Sequence, residues 1–404
     1  MTKKKTIWTW NFILLCVITI FLYSTFKMLV PVIPKYADFL GYDKGVIGTI
    51  IAPIAFMGII ARPVTGWLSD LYGRKKLFIG TVVIYLFAMI ILLFAKSAVM
   101  LFIMAIIMGI GFTASNGITN VMAVDIVGPE RKGEGLGLVS IFSTATLFYS
   151  PLLSLTISEK YGYNHVFILA LVLVGLGLLF TCLIRSKSTL RNENVKEGSE
   201  VREKTSIVGD VIKDGNMKKA FILMLLMALP YSGIQSFLPL HAAEQGIQNI
   251  GTWYTVYAVV FMIVRTLAGR IYDLKGPNII VTTSFFFTII SYFILAKSTS
   301  LWFYYVAAIL YGYGIGGLHI SFCAIAIEKI KVEARGLALT TIMGAYDFGL
   351  GFGGIIAGYV AQFTSYSSMY MYSIVASLIG LLLFIKWMGS LEGKWQSKTG
   401  SISA

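Results

Sequence analysis

The sequence predicts an all-α membrane protein with twelve transmembrane helices in two pseudo-symmetric bundles of six. Three observations predict this fold class: the composition, the number of long apolar runs and an internal repeat. Of the 404 residues, 57% are hydrophobic and 13% are charged, and the mean hydropathy is +0.80. Because soluble domains usually carry about a quarter charged residues, we expect much of this surface to face lipid.

The apolar runs define the domain organisation. A transmembrane helix needs about 20 mostly apolar residues, and twelve such runs follow one another along the chain. A polar stretch, RNENVKEGSEVREK and its flanks, separates six runs from six and predicts a cytoplasmic linker. The domains are therefore 1–185, 186–217 (the linker) and 218–404. The predicted spans are 8–34, 45–69, 77–95, 98–122, 136–158, 163–185, 218–240, 250–270, 278–296, 299–323, 336–361 and 366–387.

The N-terminal run, the cysteines and the absence of catalytic motifs in the sequence do not indicate an enzyme. The basic start MTKKKTIW leads into the first apolar run without a small-residue cleavage site, so we expect a spanning helix there and not a signal peptide. Cys16, Cys182 and Cys323 lie in separate apolar runs and are expected to be packing residues. The sequence contains no His-Glu-x-x-His, Cys-x-x-Cys or nucleophile-elbow motif, so we expect no metal site, no cofactor and no enzymatic activity.

The basic residues predict the orientation of the spans. If the N-terminus is cytoplasmic, 25 of the 33 Lys and Arg residues fall in cytoplasmic segments. The formal net charge of +14 then reflects topology. Because the basic residues are scattered over separate loops, we expect no nucleic-acid partner. The residues outside this pattern are Lys35, Lys44, Lys96, Lys160 and Lys297 on the far side, and Lys27, Arg62 and Arg265 within spans.

The two halves of the chain repeat each other at a constant offset of 203 residues. An offset that persists through the second to fifth spans indicates a duplicated six-helix unit. Two like-oriented halves of this kind are typical of secondary transporters. The matched positions are Arg62 with Arg265, Gly66 with Gly269, Asp70 with Asp273, Gly73 with Gly276, Gly109 with Gly312, Gly111 with Gly314, Asn116 with His319, Asp125 with Glu328 and Gly133 with Gly336.

One charged turn within this repeat carries a family resemblance. The stretch GWLSDLYGRKK (66–76) returns in weaker form as GRIYDLKGPN (269–278). The first copy resembles the loop signature of the major facilitator superfamily, and MLVPVIPKY (28–36) resembles the first helix of its drug-exporter branch. The resemblance covers essentially the whole chain. It implies a secondary active transporter that works by alternating access, with its substrate site near the midplane between the halves.

The resemblance also implies that the charged turn is a conformational latch. In the family, the acid of the signature lies by the N-terminus of the eleventh helix, where the helix dipole favours an anion. Asp125 is expected to pair with Arg74. The second copy lacks the basic cluster and should latch more weakly, and the alternative for both copies is an ordinary charged turn. The latch residues are Gly66, Asp70, Gly73, Arg74, Lys75, Asp125, Gly269 and Asp273.

Two positions depart from many proton-coupled drug exporters. Ala105 stands where those proteins carry an arginine, and Ser150 stands where a glycine precedes Pro151. These departures argue against a standard drug–proton antiport mechanism.

Ionisable residues within the spans are few, and most have two interpretations. A charge at the bilayer centre costs about 2.5–3.5 kcal/mol on insertion scales, so such residues usually face a cavity or a partner. Lys27 either extends its ammonium group to the interface or lines a cavity. Arg62 and Arg265 form either structural ion pairs or substrate contacts.

Other polar residues complete the candidate site. Asp347 is the only acid deep in an apolar run, and we expect it to couple protons as the switchable partner of Arg62. His319 is either a hydrogen-bonded core residue or a second proton carrier. The substrate-binding candidates are Lys27, Arg62, Arg265, Asn116, His319 and Tyr346.

These residues predict the cargo. Three cations against one acid favour an anionic or zwitterionic molecule. The stretch GEGLGLVSIFST (133–144) resembles exporters of metal-chelating metabolites, so a metallophore or siderophore is a candidate beside drug-like molecules. We expect proton-coupled export of a small organic molecule, with the proton gradient as the energy source. A proton-coupled importer of a small anionic or neutral solute would share every feature, whereas a non-transporting sensor would usually carry a soluble signalling domain.

The expected partners follow from this function. They are a small-molecule substrate, protons and the lipid bilayer, and the protein is expected to be a monomer. We expect it to be a multi-pass protein of a bacterial cell membrane with both termini in the cytoplasm.

Overall fold

The predicted all-helical membrane fold is confirmed. The computed structural model describes residues 7–185, 211, 213–331 and 334–392, apart from a few side chains that include Asp70. Within these residues, 12 helices are long and apolar enough to cross a membrane, and no strand is present. Most of the predicted linker, 186–210 and 212, lies outside the described residues.

The helices begin and end close to the predicted spans, but most of them are longer. A helix continues past its apolar run because its backbone hydrogen bonds are satisfied internally, in lipid and at the interface alike. A short 3-10 helix, Pro129–Arg131, precedes α5. The helices are α1 (Trp10–Phe39), α2 (Lys44–Tyr72), α3 (Arg74–Phe94), α4 (Ala98–Val127), α5 (Lys132–Tyr161), α6 (Tyr163–Leu183), α7 (Gly215–Glu244), α8 (Gly251–Lys275), α9 (Pro277–Lys297), α10 (Leu301–Ile327), α11 (Arg335–Phe363) and α12 (Tyr366–Glu392).

The described residues separate into two compact units. The first contains residues 7–185 and Gln248–Thr255, and the second contains the remaining described residues. In the first unit, α1 and α4 are the most buried helices, and 56% of the most apolar stretch of each helix is buried inside the protein. In the second unit, α7 and α10 are the most buried helices, with 67% and 61% of their most apolar stretches buried. Each unit therefore has its own core, built around two central helices.

Glycines allow close helix contacts at equivalent places in both units. A methyl group on Gly109 of α4 would come within 2.7 Å of the Ile54 carbonyl oxygen on α2. A methyl group on Gly312 of α10 would come within 2.8 Å of the Tyr257 carbonyl oxygen on α8. The offset of 203 residues that relates the glycines also relates their neighbours. The same holds for two further contacts, Gly111 with Tyr85 and Gly314 with Thr288.

The two charged turns share a backbone feature. Gly73, between α2 and α3, has φ +80°, and Gly276, between α8 and α9, has φ +77°. L-residues with a side chain rarely adopt such angles. Glycine at both positions therefore lets the chain end one helix and begin the next without an intervening loop.

Candidate functional site

In the first unit, the basic cluster after Gly73 ties three helices together. Arg74, at the start of α3, forms an ion pair with Asp125 near the end of α4, and both side chains are partly exposed. Lys75 donates a hydrogen bond from Nζ to the carbonyl oxygen of Cys182 at the end of α6, at 3.0 Å. These contacts fix the ends of α4 and α6 to the turn. Their action as a latch stays a prediction.

The other latch residues occupy exposed or partly exposed places. Within its own unit, no atom lies within 4 Å of a methyl group placed on Gly66 or on Gly269. Packing inside the units therefore does not require these two glycines. Asp273 is exposed near the end of α8, and the side chain of Asp70 lies outside the described part of the structure.

Lys27 lies near the middle of α1, where its side chain is half-buried. Its ammonium nitrogen lies 5.4 Å from the centre of the Phe26 ring, and that ring stacks on Phe112 of α4. No carboxylate among the described residues forms an ion pair with Lys27. Three residues earlier on the same face, Ser24 shares a 2.6 Å hydrogen bond with the Tyr149 hydroxyl group of α5. This part of α1 therefore presents a cation beside aromatic and hydroxyl groups.

Two more candidates of the first unit lie on α2 and α4. Arg62 is half-buried on α2. Asn116 is half-buried on α4 and accepts a 3.3 Å hydrogen bond from the side-chain amide of Asn120. The two asparagines lie one turn apart on one face of α4 and satisfy part of each other's hydrogen-bonding capacity.

The second unit brings Arg265 of α8 close to His319 of α10. A methyl group on Gly316 would lie 3.5 Å from the backbone nitrogen of Arg265, and His319 follows one turn later. Arg265 belongs to this close approach of α8 and α10. The centre of its guanidinium group lies 6.0 Å from the Phe261 ring. Nδ1 of His319 is buried and has no hydrogen-bond partner among the described residues.

Tyr346 of α11 links His319 to a larger aromatic cluster. Its ring meets the His319 ring edge-on, with centres 5.7 Å apart, and lies 6.0 Å from the Tyr231 ring. The adjacent Asp347 is buried, with 7% of its surface exposed. Since Arg62 belongs to the first unit and Asp347 to the second, their pairing stays a prediction.

A cluster of tyrosines from five helices of the second unit was not predicted as a whole. The hydroxyl groups of Tyr231 and Tyr257 lie 3.3 Å apart, and those of Tyr292 and Tyr311 lie 3.2 Å apart. The rings of Tyr231 and Tyr311 are stacked. In the sequence, Tyr292 and Tyr311 stand in apolar runs without a motif. The number of tyrosines in the chain, 22, is one signal of such a cluster.

The polar and aromatic side chains of the candidate site are suited to binding a molecule. Among the described residues, no group of three or more His, Cys, Asp or Glu side chains could hold a metal ion. The cations, hydroxyl groups and aromatic rings are instead suited to recognising an anionic or hydroxylated organic molecule.

Comparison with known proteins gives this geometry a family. The sequence profile of the Major Facilitator Superfamily matches residues 15–296 and 245–401. The staphylopine export protein of Staphylococcus aureus is 20% identical over 386 residues, which are 93% of this chain and 96% of that protein. A homologue of the multi-drug resistance efflux pump PmrA from Lactococcus lactis subsp. lactis is 21% identical, and the match covers 95% of each chain.

The fold has solved counterparts. The crystal structure of nucleoside transporter NupG superposes with a TM-score of 0.77 at 14% sequence identity, and the match covers 93% of this chain and 99% of that chain. At this identity the likeness concerns the fold alone. The profile match, however, spans nearly the entire sequence. The chain therefore belongs to the Major Facilitator Superfamily and is a membrane-embedded secondary transporter, not an enzyme.

Proposed function

We propose that this transporter uses the proton gradient to export a small anionic or zwitterionic organic molecule by alternating access. One observation carries the proposal: Lys27 and Arg265 are membrane-embedded cations that no carboxylate of the described residues neutralises. Such a charge costs about 2.5–3.5 kcal/mol at the bilayer centre on insertion scales. A cation–π contact offsets about 0.5–2 kcal/mol. An anionic ligand would therefore stabilise either residue.

The direction and cargo are supported by relatives. Both curated relatives described above are named for export or efflux, which favours export here. The similarity to a staphylopine exporter makes a metallophore one candidate cargo, and the similarity to an efflux pump makes a drug-like molecule another. The alternative is a proton-coupled importer of a small anionic or neutral solute, because the same cations would serve either direction.

Asp347 is the proposed proton carrier. It is a buried acid within α11, and its charge state can change, whereas arginine stays charged. Release of Asp347 from Arg62 would let it exchange its proton, which couples pH to the conformational cycle. His319 is the second candidate, and no cofactor is required.

The proposed orientation places both termini and residues 186–217 in the cytoplasm of a bacterial cell, with the protein a monomer in the cell membrane. The asymmetry of the basic residues supports it. Single cysteines at Ser199 and Ser367 test it with a membrane-impermeant thiol reagent on intact cells. Labelling of Ser199→Cys without labelling of Ser367→Cys would contradict this orientation.

Two experiments test the function. Metabolite profiles of cells with and without the protein should reveal a compound that accumulates inside when the gene is deleted. The purified protein in vesicles should then move that compound uphill when a pH gradient is imposed. Accumulation outside the cells on deletion would favour the importer.

A variant of Lys27 tests the anionic contact. Lys27→Gln should weaken the apparent affinity for the exported compound about tenfold or more, because a charge-assisted contact is lost, and Lys27→Arg should keep part of it. Lys35→Gln is a matched control, since Lys35 pairs with Glu159 at 2.8 Å and is not a candidate for binding. Unchanged transport by Lys27→Gln would assign Lys27 to the interface.

A further inference from the structure

We infer that the second unit contains a carboxylate-binding subsite, in which Arg265 and His319 together hold one acid group of an organic ligand. This inference rests on the proposed function, because it names the chemistry that one part of the transporter recognises. Lys27 belongs to the first unit and takes no part in it.

The helix packing brings the two donors together. Tyr257, Phe261 and Arg265 lie along one face of α8, four residues apart, and Gly312 and Gly316 lie along one face of α10. Methyl groups on these glycines would come within 2.8 Å of the Tyr257 carbonyl oxygen and 3.1 Å of that of Phe261. The two backbones therefore approach closely at Arg265, one turn before His319.

Both donors have capacity to spare. The described residues provide Arg265 with the Phe261 ring but with no carboxylate. Its guanidinium group can donate two parallel hydrogen bonds to a carboxylate. Nδ1 of His319 is buried and lacks a hydrogen-bond partner among the described residues. A buried polar atom of this kind is available to hydrogen-bond a ligand.

Neighbouring groups restrict the ligand to an anion. The Tyr346 ring packs edge-on against the imidazole. A cationic group would be repelled by Arg265, and a neutral group would leave its charge uncompensated. An organic carboxylate satisfies both donors at once.

Cys323 is a natural reporter of this subsite. It lies one turn after His319 on the same face of α10, and it is half-buried. In a Cys16→Ala/Cys182→Ala background it is the sole thiol of the chain. Its reaction rates with the anionic reagent methanethiosulfonate ethylsulfonate and with the cationic trimethylammonium analogue can then be compared, each relative to a free thiol.

We expect the anionic reagent to react roughly tenfold faster than the cationic one, since a positive field in a confined site concentrates anions. Arg265→Gln should abolish this preference. Arg270→Gln is the matched control, because Arg270 is exposed on the same helix, and it should leave the preference intact. Benzoate should slow the modification in the presence of Arg265, whereas benzyl alcohol should not.

Three results would overturn the inference. They are equal rates for the two reagents, a preference that persists in Arg265→Gln, and a thiol that neither reagent reaches, which would mean a sealed core. The measurement needs no transport. If the reagents show no preference but the protein exports its cargo uphill, the subsite is wrong and the proposed function is retained. If the preference is found but no export is measured, the proposed function is wrong and the subsite is retained.

Discussion

In the first unit, α4 carries Asn116 and Asn120, and in the second, α10 carries His319 and Cys323 at positions displaced by 203 residues. The asparagines bond to each other at 3.3 Å, whereas Nδ1 of His319 is buried with no partner among the described residues. Equivalent glycines precede both pairs and pack against equivalent residues of the neighbouring helix. The same backbone thus supports two hydrogen-bonded amides in one unit and, in the other, a histidine whose Nδ1 has no partner among the described residues.

This difference shows where a duplicated scaffold keeps its sequence and where it diverges. The glycines are retained because a side chain there would separate two helices. The polar positions one or two turns later have no such constraint, so each unit carries different chemistry there. The second unit carries a titratable ring, a thiol and a tyrosine cluster, whereas the first unit has Lys27 at the position that corresponds to Pro230.

The largest effect is expected from breaking the shared packing. Gly109→Leu and Gly312→Leu should each prevent accumulation of folded protein. A methyl group alone would lie 2.7 Å and 2.8 Å from backbone oxygens at these positions, and overpacking costs about 1–3 kcal/mol or more. The measurement is the yield of monodisperse protein after size-exclusion chromatography.

Gly137→Leu is the control for these glycine variants. Gly137 is exposed on α5, with no atom within 4 Å of an added methyl group, so its yield should match that of the parent protein. If only one of the two variants, Gly109→Leu or Gly312→Leu, lost folded protein, the repeated contacts would not be equivalent.

The sequence predicted this packing better than it predicted the polar site. The spans, the repeat and the pairing of glycines by offset follow from hydropathy and spacing, which act over one helix at a time. The ion pair of Arg74 with Asp125 was accessible because Arg74 belongs to a recognisable motif and the family resemblance implied Asp125 as its partner. The tyrosine cluster could not be predicted in this way. Contacts among five helices depend on how each helix is rotated about its axis, and hydrophobic periodicity does not determine that rotation in a uniformly apolar run. The cluster consists of Tyr231, Tyr257, Tyr292, Tyr311 and Tyr346.

The two charged turns offer the next comparison. Asp70→Asn should abolish transport while the protein still inserts, because it removes a charge expected at a helix N-terminus without changing the shape of the side chain. Asp273→Asn should retain most of the transport, since the second copy of the turn lacks the basic cluster. Initial rates in vesicles at matched protein content measure the difference. Full activity of both variants would contradict the latch.

Asp347 allows the proton role to be separated from transport itself. Asp347→Asn should abolish uphill movement driven by a pH gradient but allow downhill exchange of cargo, because the amide cannot carry a proton. The charge swap Arg62→Asp/Asp347→Arg should restore folded yield relative to either single variant if the two residues pair. Uphill transport by Asp347→Asn with an unchanged pH dependence would move the proton role to His319.

The smallest effects are expected from exchanging the polar pairs themselves. His319→Asn/Cys323→Asn gives the second unit the pair of the first, and the two amides should bond to each other as Asn116 and Asn120 do at 3.3 Å. Since an unsatisfied buried polar group costs about 1–3 kcal/mol, this variant should unfold at a temperature a few degrees higher. It should also lose several-fold in affinity for an anionic cargo, because the imidazole donor beside Arg265 is gone.

Asn116→His in the first unit should change affinity less than about twofold, since no ring equivalent to Tyr346 holds a histidine there: the position that corresponds to Tyr346 is Ser143. Thermal unfolding and binding measured on the same samples decide the matter. A lower unfolding temperature for the double asparagine variant would show that His319 and Cys323 are structural, and that the difference between the two units is one of packing and not of ligand recognition.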